Sequence, residues 1–490
     1  MYKIGFDKDK YLEVQSSHIL ERVKQFENKL YLEFGGKIFS DLHASRVLPG
    51  FEPDIKISLL KKLGNKVEVV LAINAEDIDQ NRIEGDYGLS YSENLIQFIN
   101  KLRTNELYIS SVVITRFAGQ NSSLRFRVRL EKLGLKVYMH HFIKDYPTNI
   151  SHIMSEDGFG KNDYIETTRP LVVVAGAGSN SGKMATCMSQ LYHELKFGVK
   201  AGYAKFEKFP VWNLSINHPI NLAYEAATTN INDKNMIDPF HLEAYGVSAV
   251  NYNRDIEAFP VLNMMLKEFW KTSPYNSPTD MGVNMIKVCI TDENVCIEAA
   301  KQEIIRRYFN RLVDEYIYGG YTEQITKLEF LMNTATIKPT DRYSVQIART
   351  NTEEKHVPSV AITLPNGKTV TGKTSELLSA SSAALLNALK EVSGVQENVD
   401  LISGNLITPI RKLNGEYMGL NANLRINELL IALAISTTTN PMAETALNNL
   451  AALKNAEAHA TTLIPEGEIT TFKKLGVNIT CEPPATGQNF

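Results

Sequence analysis

"VVVAGAGSNSGKMATCMSQLYHEL", residues 172–195, reads as a buried strand, a glycine-rich loop ending in Gly-Lys, and a helix. A strand that feeds a glycine loop and then a helix is the start of a βαβ unit, and it places main-chain N–H groups and a helix N-terminus around one point. The phosphate-loop pattern G-x-x-x-x-G-K-[ST] is nearly present. Its first glycine is displaced to Gly176 and Gly178, and Met184 stands where the magnesium-binding hydroxyl belongs. Gly176, Gly178, Ser179, Ser181, Gly182 and Lys183 are therefore the candidate anion-binding residues. Loop amides, the helix end and one ammonium bind an oxyanion without the hydroxyl, whose usual task is to hold Mg²⁺. Thr186 does not replace it: two residues along a helix is about 200° of rotation. The expected apolar stripe is Met184, Cys187, Met188, Leu191 and Leu195, with Thr186, Gln190 and His193 off it. Ser179 and Ser181 are the better hydroxyl candidates. The opposing reading is a tight turn whose glycines only pack.

Upstream, strand and helix patterns alternate. Residues 29–36, 66–74, 108–117 and 136–143 read as strands, and 54–64, 95–104 and 124–134 as helices. Alternation of this kind gives a mostly parallel sheet, with ligands expected at the carboxyl ends of its strands. From 233 to 340 the spacing is helical, notably in 255–270, 292–317 (capped by Asp292) and 321–337. After 345 come a hairpin over 359–372 with an Asn-Gly turn, a helix over 375–392 capped by Ser375, a helix over 442–458, and late strands around "GEITTFKKLG". The expected fold is α/β: a mostly parallel sheet with a phosphate-loop-like strand–loop–helix, a helical subdomain and a C-terminal α+β domain, divided as 1–232, 233–340 and 341–490.

The chain has 490 residues and a net charge of -3, so no global field draws in nucleic acid or anionic membrane. The N-terminus lacks a secretory or transit pattern, and no apolar run approaches the ~20 residues of a membrane span. Four scattered cysteines form no CxxC. A cytoplasmic location is expected.

Gly176, Gly178 and Gly182 also make G-x-G-x-x-x-G, close to a dinucleotide fingerprint, for which Lys205 in the next strand would face a phosphorylated ribose. Glu207 and His218 follow in a segment that also holds Trp212, Asn213, Asn217, Asn221 and Glu225. Lys37, Asp41, His43 and Arg46 form a possible opposite wall. Asp280 lies in "YNSPTDMGVN", Glu457 and His459 sit where a helix meets a strand, and Lys373 in "TGKTS" is placed at a helix start. Each of these has an ordinary structural reading beside the functional one. No HExxH, zinc-deaminase or GxSxG pattern forms, so no metal site and no cofactor is assigned.

"YLEFGGKIFSDLHASRVLPGFEPD", "GSNSGKMATCMSQLYHE", "GYAKFEKFPVWNL", "HPINLAYEAAT", "SPTDMGVN" and "TGKTSELLSASSAALLNALK" resemble a large uncharacterised bacterial family, a conserved domain of unknown function. The resemblance runs along the whole chain. It implies a cytoplasmic bacterial protein with an α/β core, a helical subdomain and a C-terminal α+β part, and it implies no known reaction. It also implies Gly-Ser-Gly-Lys followed by an apolar residue, so Met184 is typical there, while the inserted Asn180 is not. Three readings stay open: an enzyme acting on a phosphate-bearing small molecule, nucleotides first; a non-catalytic nucleotide-binding protein; and an assembly subunit, homo-oligomeric, whose loop only packs.

Overall fold

A computed structural model of the chain describes residues 3–484 apart from 28, 36, 37, 40, 84–88, 177, 179, 207–209 and 232. Ser179, Glu207 and Lys37, named above as candidates, lie outside the described residues. The chain divides into two compact units, residues 4–299 and 300–490, the second joined by residues 1–3.

The first unit is built on a parallel sheet of six strands: β1 (Leu30–Phe34), β2 (Val67–Asn74), β3 (Ile109–Phe117), β4 (Lys136–His141), β5 (Leu171–Gly176) and β6 (Gly202–Phe206), in the order β4-β3-β2-β5-β1-β6. Every residue of β2 is buried, as expected of a parallel strand covered on both faces. The helices are α1 (Lys8–Gln25), α2 (Leu42–Val47), α3 (Ile55–Leu63), α4 (Ala75–Asp79), α5 (Tyr91–Thr104), α6 (Asn121–Lys132), α7 (Ile150–Ile153), α8 (Lys183–Lys196), α9 (Pro219–Ala227), α10 (Pro239–Tyr245), α11 (Asn253–Trp270) and α12 (Pro278–Met281). A two-stranded ribbon, β7 (Asn235–Ile237) with β8 (Val250–Tyr252), interrupts the otherwise helical stretch after 233.

Alternation of side chains along β1 sets the two faces. Phe34 stacks on Phe206 at 4.3 Å on one face, capped by the Lys56 ammonium of α3 at 5.9 Å from each ring. Tyr31 is on the opposite face, where its hydroxyl donates to Glu194 of α8 at 2.6 Å. Glu33, two residues on, shares that face. The strand order also creates a divide. From β2 the chain moves outward to β3 and β4; from β5 it moves through α8 to β6 on the other side. Neighbouring strands whose connections leave in opposite directions open a crevice at their carboxyl ends. The glycine loop leaves β5 at that point.

The second unit continues from α13 (Glu293–Tyr318) through α14 (Thr322–Thr334) and α15 (Val345–Lys355) into a four-stranded mixed sheet, order β10-β9-β11-β12. Its strands are β9 (Ser359–Thr363), β10 (Thr369–Lys373), β11 (Glu457–Ala460) and β12 (Asn478–Cys481). Its helices are α16 (Ala380–Val392), α17 (Gly404–Lys412), α18 (Ile426–Ser436), α19 (Pro441–Asn448) and α20 (Glu466–Lys474). The expected α/β class with a C-terminal α+β part is found. Asp292 caps α13, accepting Val295 N–H at 3.2 Å.

Four local expectations are corrected. The 359–372 hairpin closes through Pro365-Asn366-Gly367: Leu364 N–H bonds to Lys368 O at 2.8 Å, and Gly367, not Asn366, takes the positive φ of 87°. This is a three-residue loop with glycine in the left-handed position, not a two-residue Asn-Gly turn. Helix α16 starts at Ala380 under a Ser379 cap; Ser375 instead accepts Leu378 N–H at 3.1 Å in the preceding loop. Lys373 therefore ends a strand and does not open a helix. The 442–458 segment stops being α-helical at Asn448, and Glu457 begins β11. Among the described residues no helix is long and apolar enough to cross a membrane.

Candidate functional site

The loop between β5 and α8 is shaped by what its glycines leave out. A Cβ on Gly178 would lie 2.1 Å from the Tyr91 ring at the start of α5. A Cβ on Gly176 would lie 1.9 Å from the Ser181 hydroxyl oxygen, so the loop curls until Ser181 reaches back over the end of β5. Gly182 has φ 86° and presses on Thr115 of β3, whose hydroxyl donates to Ser181 O at 2.8 Å. Asn180 also has positive φ, 60°, which asparagine tolerates better than most residues. Tyr91 and Thr115 pin the loop against the β2–β3 side of the divide.

Helix α8 opens without a side-chain cap, because Gly182 has none to offer. Its earliest main-chain bond is Thr186 N–H to Gly182 O, 2.9 Å. The N–H groups of Lys183, Met184 and Ala185 are thus left without intrahelical acceptors. Side chains cap three of the longer helices of this unit, Asp7 at α1, Ser90 at α5 and His218 at α9, whereas α3, α6 and α11 share the uncapped start of α8. Beside the open end lie three polar groups with no hydrogen-bond partner among the described residues. They are the Ser181 hydroxyl, 2% exposed, the Thr186 hydroxyl, fully buried, and the Lys183 ammonium. Burial lowers the Lys183 pKa; the Glu33 carboxylate opposes this, and Lys205 and Arg254 add to it. An ammonium in that position gains most from a bound negative group.

The expected apolar stripe of α8 is corrected. Met184 is only half-buried and Leu195 is exposed, whereas Thr186, Gln190 and His193 are buried with Cys187, Met188 and Leu191. The helix is covered nearly all round, and its polar residues serve a network. Gln190 bonds both main-chain groups of Ile165, at 2.9 Å each, and Tyr31 hydroxyl at 3.2 Å.

Lys205, at the end of β6, is engaged: its ammonium is 2.5 Å from Asp255 of α11, and Arg254 pairs with Asp233 at 3.0 Å. Glu33 was not singled out in the sequence, although a carboxylate inside the apolar run "LYLEF" was its signal. Its Oε2 accepts the buried Tyr203 hydroxyl at 2.6 Å.

The other candidates have structural employment. His218 accepts Ile220 N–H at Nδ1, 3.2 Å, and donates from Nε2 to Glu293, 2.9 Å. Asn221 clamps Val211 through both main-chain groups. Asp41 caps α2 and stands 3.7 Å from the Lys56 ammonium, and the His43 ring is 5.8 Å from Tyr224. Asp280 forms a capping box with Ser277 and accepts Tyr245 hydroxyl at 2.9 Å. It lines a separate cavity of about 390 Å³ with Arg22, Trp212, His241 and Tyr275. In the second unit His459 is fully buried, held by Thr480 at 2.8 Å and Glu482 at 2.7 Å. Among the described residues no three His, Cys, Asp or Glu side chains gather as metal ligands.

Comparison with known proteins places this geometry in a lineage. Residues 4–336 match the domain of unknown function DUF1846, N-terminal, and residues 340–490 match DUF1846, C-terminal. UPF0371 proteins of Streptococcus pyogenes serotypes M5 and M18 are 51% identical over 484 residues, 99% of this chain and 98% of theirs. A UPF0371 protein of Streptococcus pneumoniae is 50% identical over the same span. With both halves of its length matched in order, the chain belongs to the DUF1846 family.

Proposed function

We propose that this protein binds a phosphate-bearing small molecule, nucleotides included, at the junction of β5 and α8. The observation that carries the reading is the half-buried Lys183 ammonium, which among the described residues has no partner, set at an uncapped helix N-terminus beside the Ser181 hydroxyl, likewise unpaired among them. A buried polar group without a partner costs about 1–3 kcal/mol, and more if charged. An anion relieves that cost and also meets the helix dipole, worth up to about 2 kcal/mol in partly buried sites. Gly178 and Gly182 supply the close packing on Tyr91 and Thr115 that holds the loop in place.

Met184 puts no metal-binding oxygen next to Lys183, so the expected binding needs no magnesium. A dinucleotide with a phosphorylated ribose is disfavoured, because the Lys205 charge is already matched by Asp255.

The test is thermal unfolding with inorganic phosphate, pyrophosphate and a nucleotide panel, with and without Mg²⁺, on the wild type and Lys183→Ala. Ligand at 100 times its Kd adds about 2.7 kcal/mol of stability. The expected result is a metal-independent stabilisation that Lys183→Ala abolishes. Equal stabilisation of both proteins removes Lys183 from the site and with it this function.

A further inference from the structure

The groups around Lys183 also bear on what is attached to the phosphate; this inference rests on the phosphate reading. Glu33 is the penultimate residue of β1, the strand next to β5, on the sheet face covered by α8. Its carboxylate has two oxygens, and Tyr203 uses one. The other has no partner among the described residues, in a half-buried setting. A carboxylate is an acceptor only, so a donor must satisfy that oxygen. Two further hydroxyls in this region, Thr186 Oγ1 and Tyr146 OH, are buried with no partner among the described residues. Hydroxyls both donate and accept, which matches a ligand that presents hydroxyls of its own.

Three aromatic side chains of this region are otherwise occupied. Tyr91 packs its edge on Gly178 and its ring lies 5.9 Å from Arg82, while Phe34 and Phe206 stack on each other on the far face. These three rings are thus not open as a pair to sandwich a nucleobase.

We propose that the ligand is the phosphate monoester of a sugar or polyol, with its phosphate on Lys183 and the start of α8 and one hydroxyl donating to Glu33. Tyr203 is a positioning residue, because it fixes the carboxylate and leaves the second oxygen to the ligand.

The experiment is calorimetric titration of the full chain with inorganic phosphate, phenyl phosphate, ribose 5-phosphate and adenosine monophosphate. Ribose 5-phosphate should bind about tenfold tighter than inorganic or phenyl phosphate, the scale of one charge-assisted hydrogen bond. Adenosine monophosphate should gain nothing over ribose 5-phosphate. Glu33→Gln should erase the preference while inorganic phosphate binds as before or tighter, since a negative charge near the anion is gone. Tyr203→Phe, which removes a single hydroxyl, should weaken ribose 5-phosphate several-fold and leave inorganic phosphate unchanged. Equal affinities for phenyl phosphate and ribose 5-phosphate, a preference that survives both substitutions, or a tighter adenosine monophosphate would each overturn the sugar assignment. Absence of any Lys183-dependent phosphate binding would instead remove the phosphate reading, and the sugar with it.

Discussion

Arg342 in the second unit and Lys183 in the first are two cations drawn away from water, and they are treated differently. In the second unit Arg342, 1% exposed, donates to Thr480 at 3.0 Å, to the main-chain oxygens of Asn478 and Ala458, and faces Glu457 at 2.9 Å. Nearby, Glu303 takes both Arg306, at 2.6 Å twice, and Arg307, at 2.9 Å. In the first unit the Lys183 ammonium meets no partner among the described residues, and two buried hydroxyls near it have none either. A buried charge matched on most sides is architecture, because its removal orphans the groups that held it. One left unmatched carries a desolvation cost that the fold does not repay. The contrast separates a charge kept for stability from one kept for a ligand.

The largest effect expected from breaking this contrast is at Arg342. Arg342→Met should destabilise the second unit by about 3–5 kcal/mol by leaving Glu457 and two carbonyls without their donor. Hydrogen exchange at β11 and β12 reads it; near-native protection there would mean the network contributes little. Next is the loop. Gly178→Ala should cost about 1–3 kcal/mol by forcing a methyl onto the Tyr91 ring, and Tyr91→Ala in the same chain should recover part of it. Additive effects in that double-mutant cycle would show that the loop yields without displacing Tyr91.

His140 and His459 sharpen the comparison by pH. Both are buried, but His459 has a carboxylate partner, while His140, among the described residues, donates only to Asp163 O, at 3.1 Å. Burial holds the His140 pKa down at about 3. The unfolded chain takes up that proton near pH ~6.5, so stability is full above that pH and falls as pH drops toward 3, by up to about 1.4 kcal/mol per pH unit. His140→Gln should flatten this part of the acid limb by one proton's slope, measured by denaturant unfolding from pH 7 to 4. The smallest stability change belongs to Lys183→Met, within about 1 kcal/mol of wild type and on the stabilising side, since a costly desolvation is relieved. In the wild type, phosphate affinity should decline with rising pH in the alkaline range below 10.5, because burial lowers the Lys183 pKa and only the ammonium binds. A clear loss of stability in Lys183→Met would show the ammonium to be structural after all.

The sheet was legible because its strands are short apolar runs separated by helical spacing, and β1 through β6 lie within a few residues of where the pattern put them. Helix α1 was not, because Gln15 and Ser16 fill core positions between Tyr11 and Ile19. The Gln15 amide replaces apolar contact with bonds to Val283 O at 2.9 Å and Met285 N–H at 3.0 Å, partners about 270 residues away that no local pattern shows. The same limit applies to the candidate site. The glycine loop and Lys183 stand together in sequence, whereas Glu33, Tyr91, Thr115 and Tyr203 reach it from four other elements. Lys205 shows the converse, since its pairing with Asp255 is invisible until α11 is in place.

The position of β5 constrains how the chain is made. β1 and β2 are not neighbours; each pairs with β5, through Leu30–Glu33 on one side and Val67–Ala72 on the other. During synthesis the two early strands therefore wait, their facing edges unsatisfied, until residues 171–176 emerge from the ribosome. A nascent chain halted before Leu171 should hold one sheet fragment, β2–β3–β4, and a lone strand β1, both with edges prone to pairing with other chains, and translation pauses in the 140–170 stretch would lengthen that exposure.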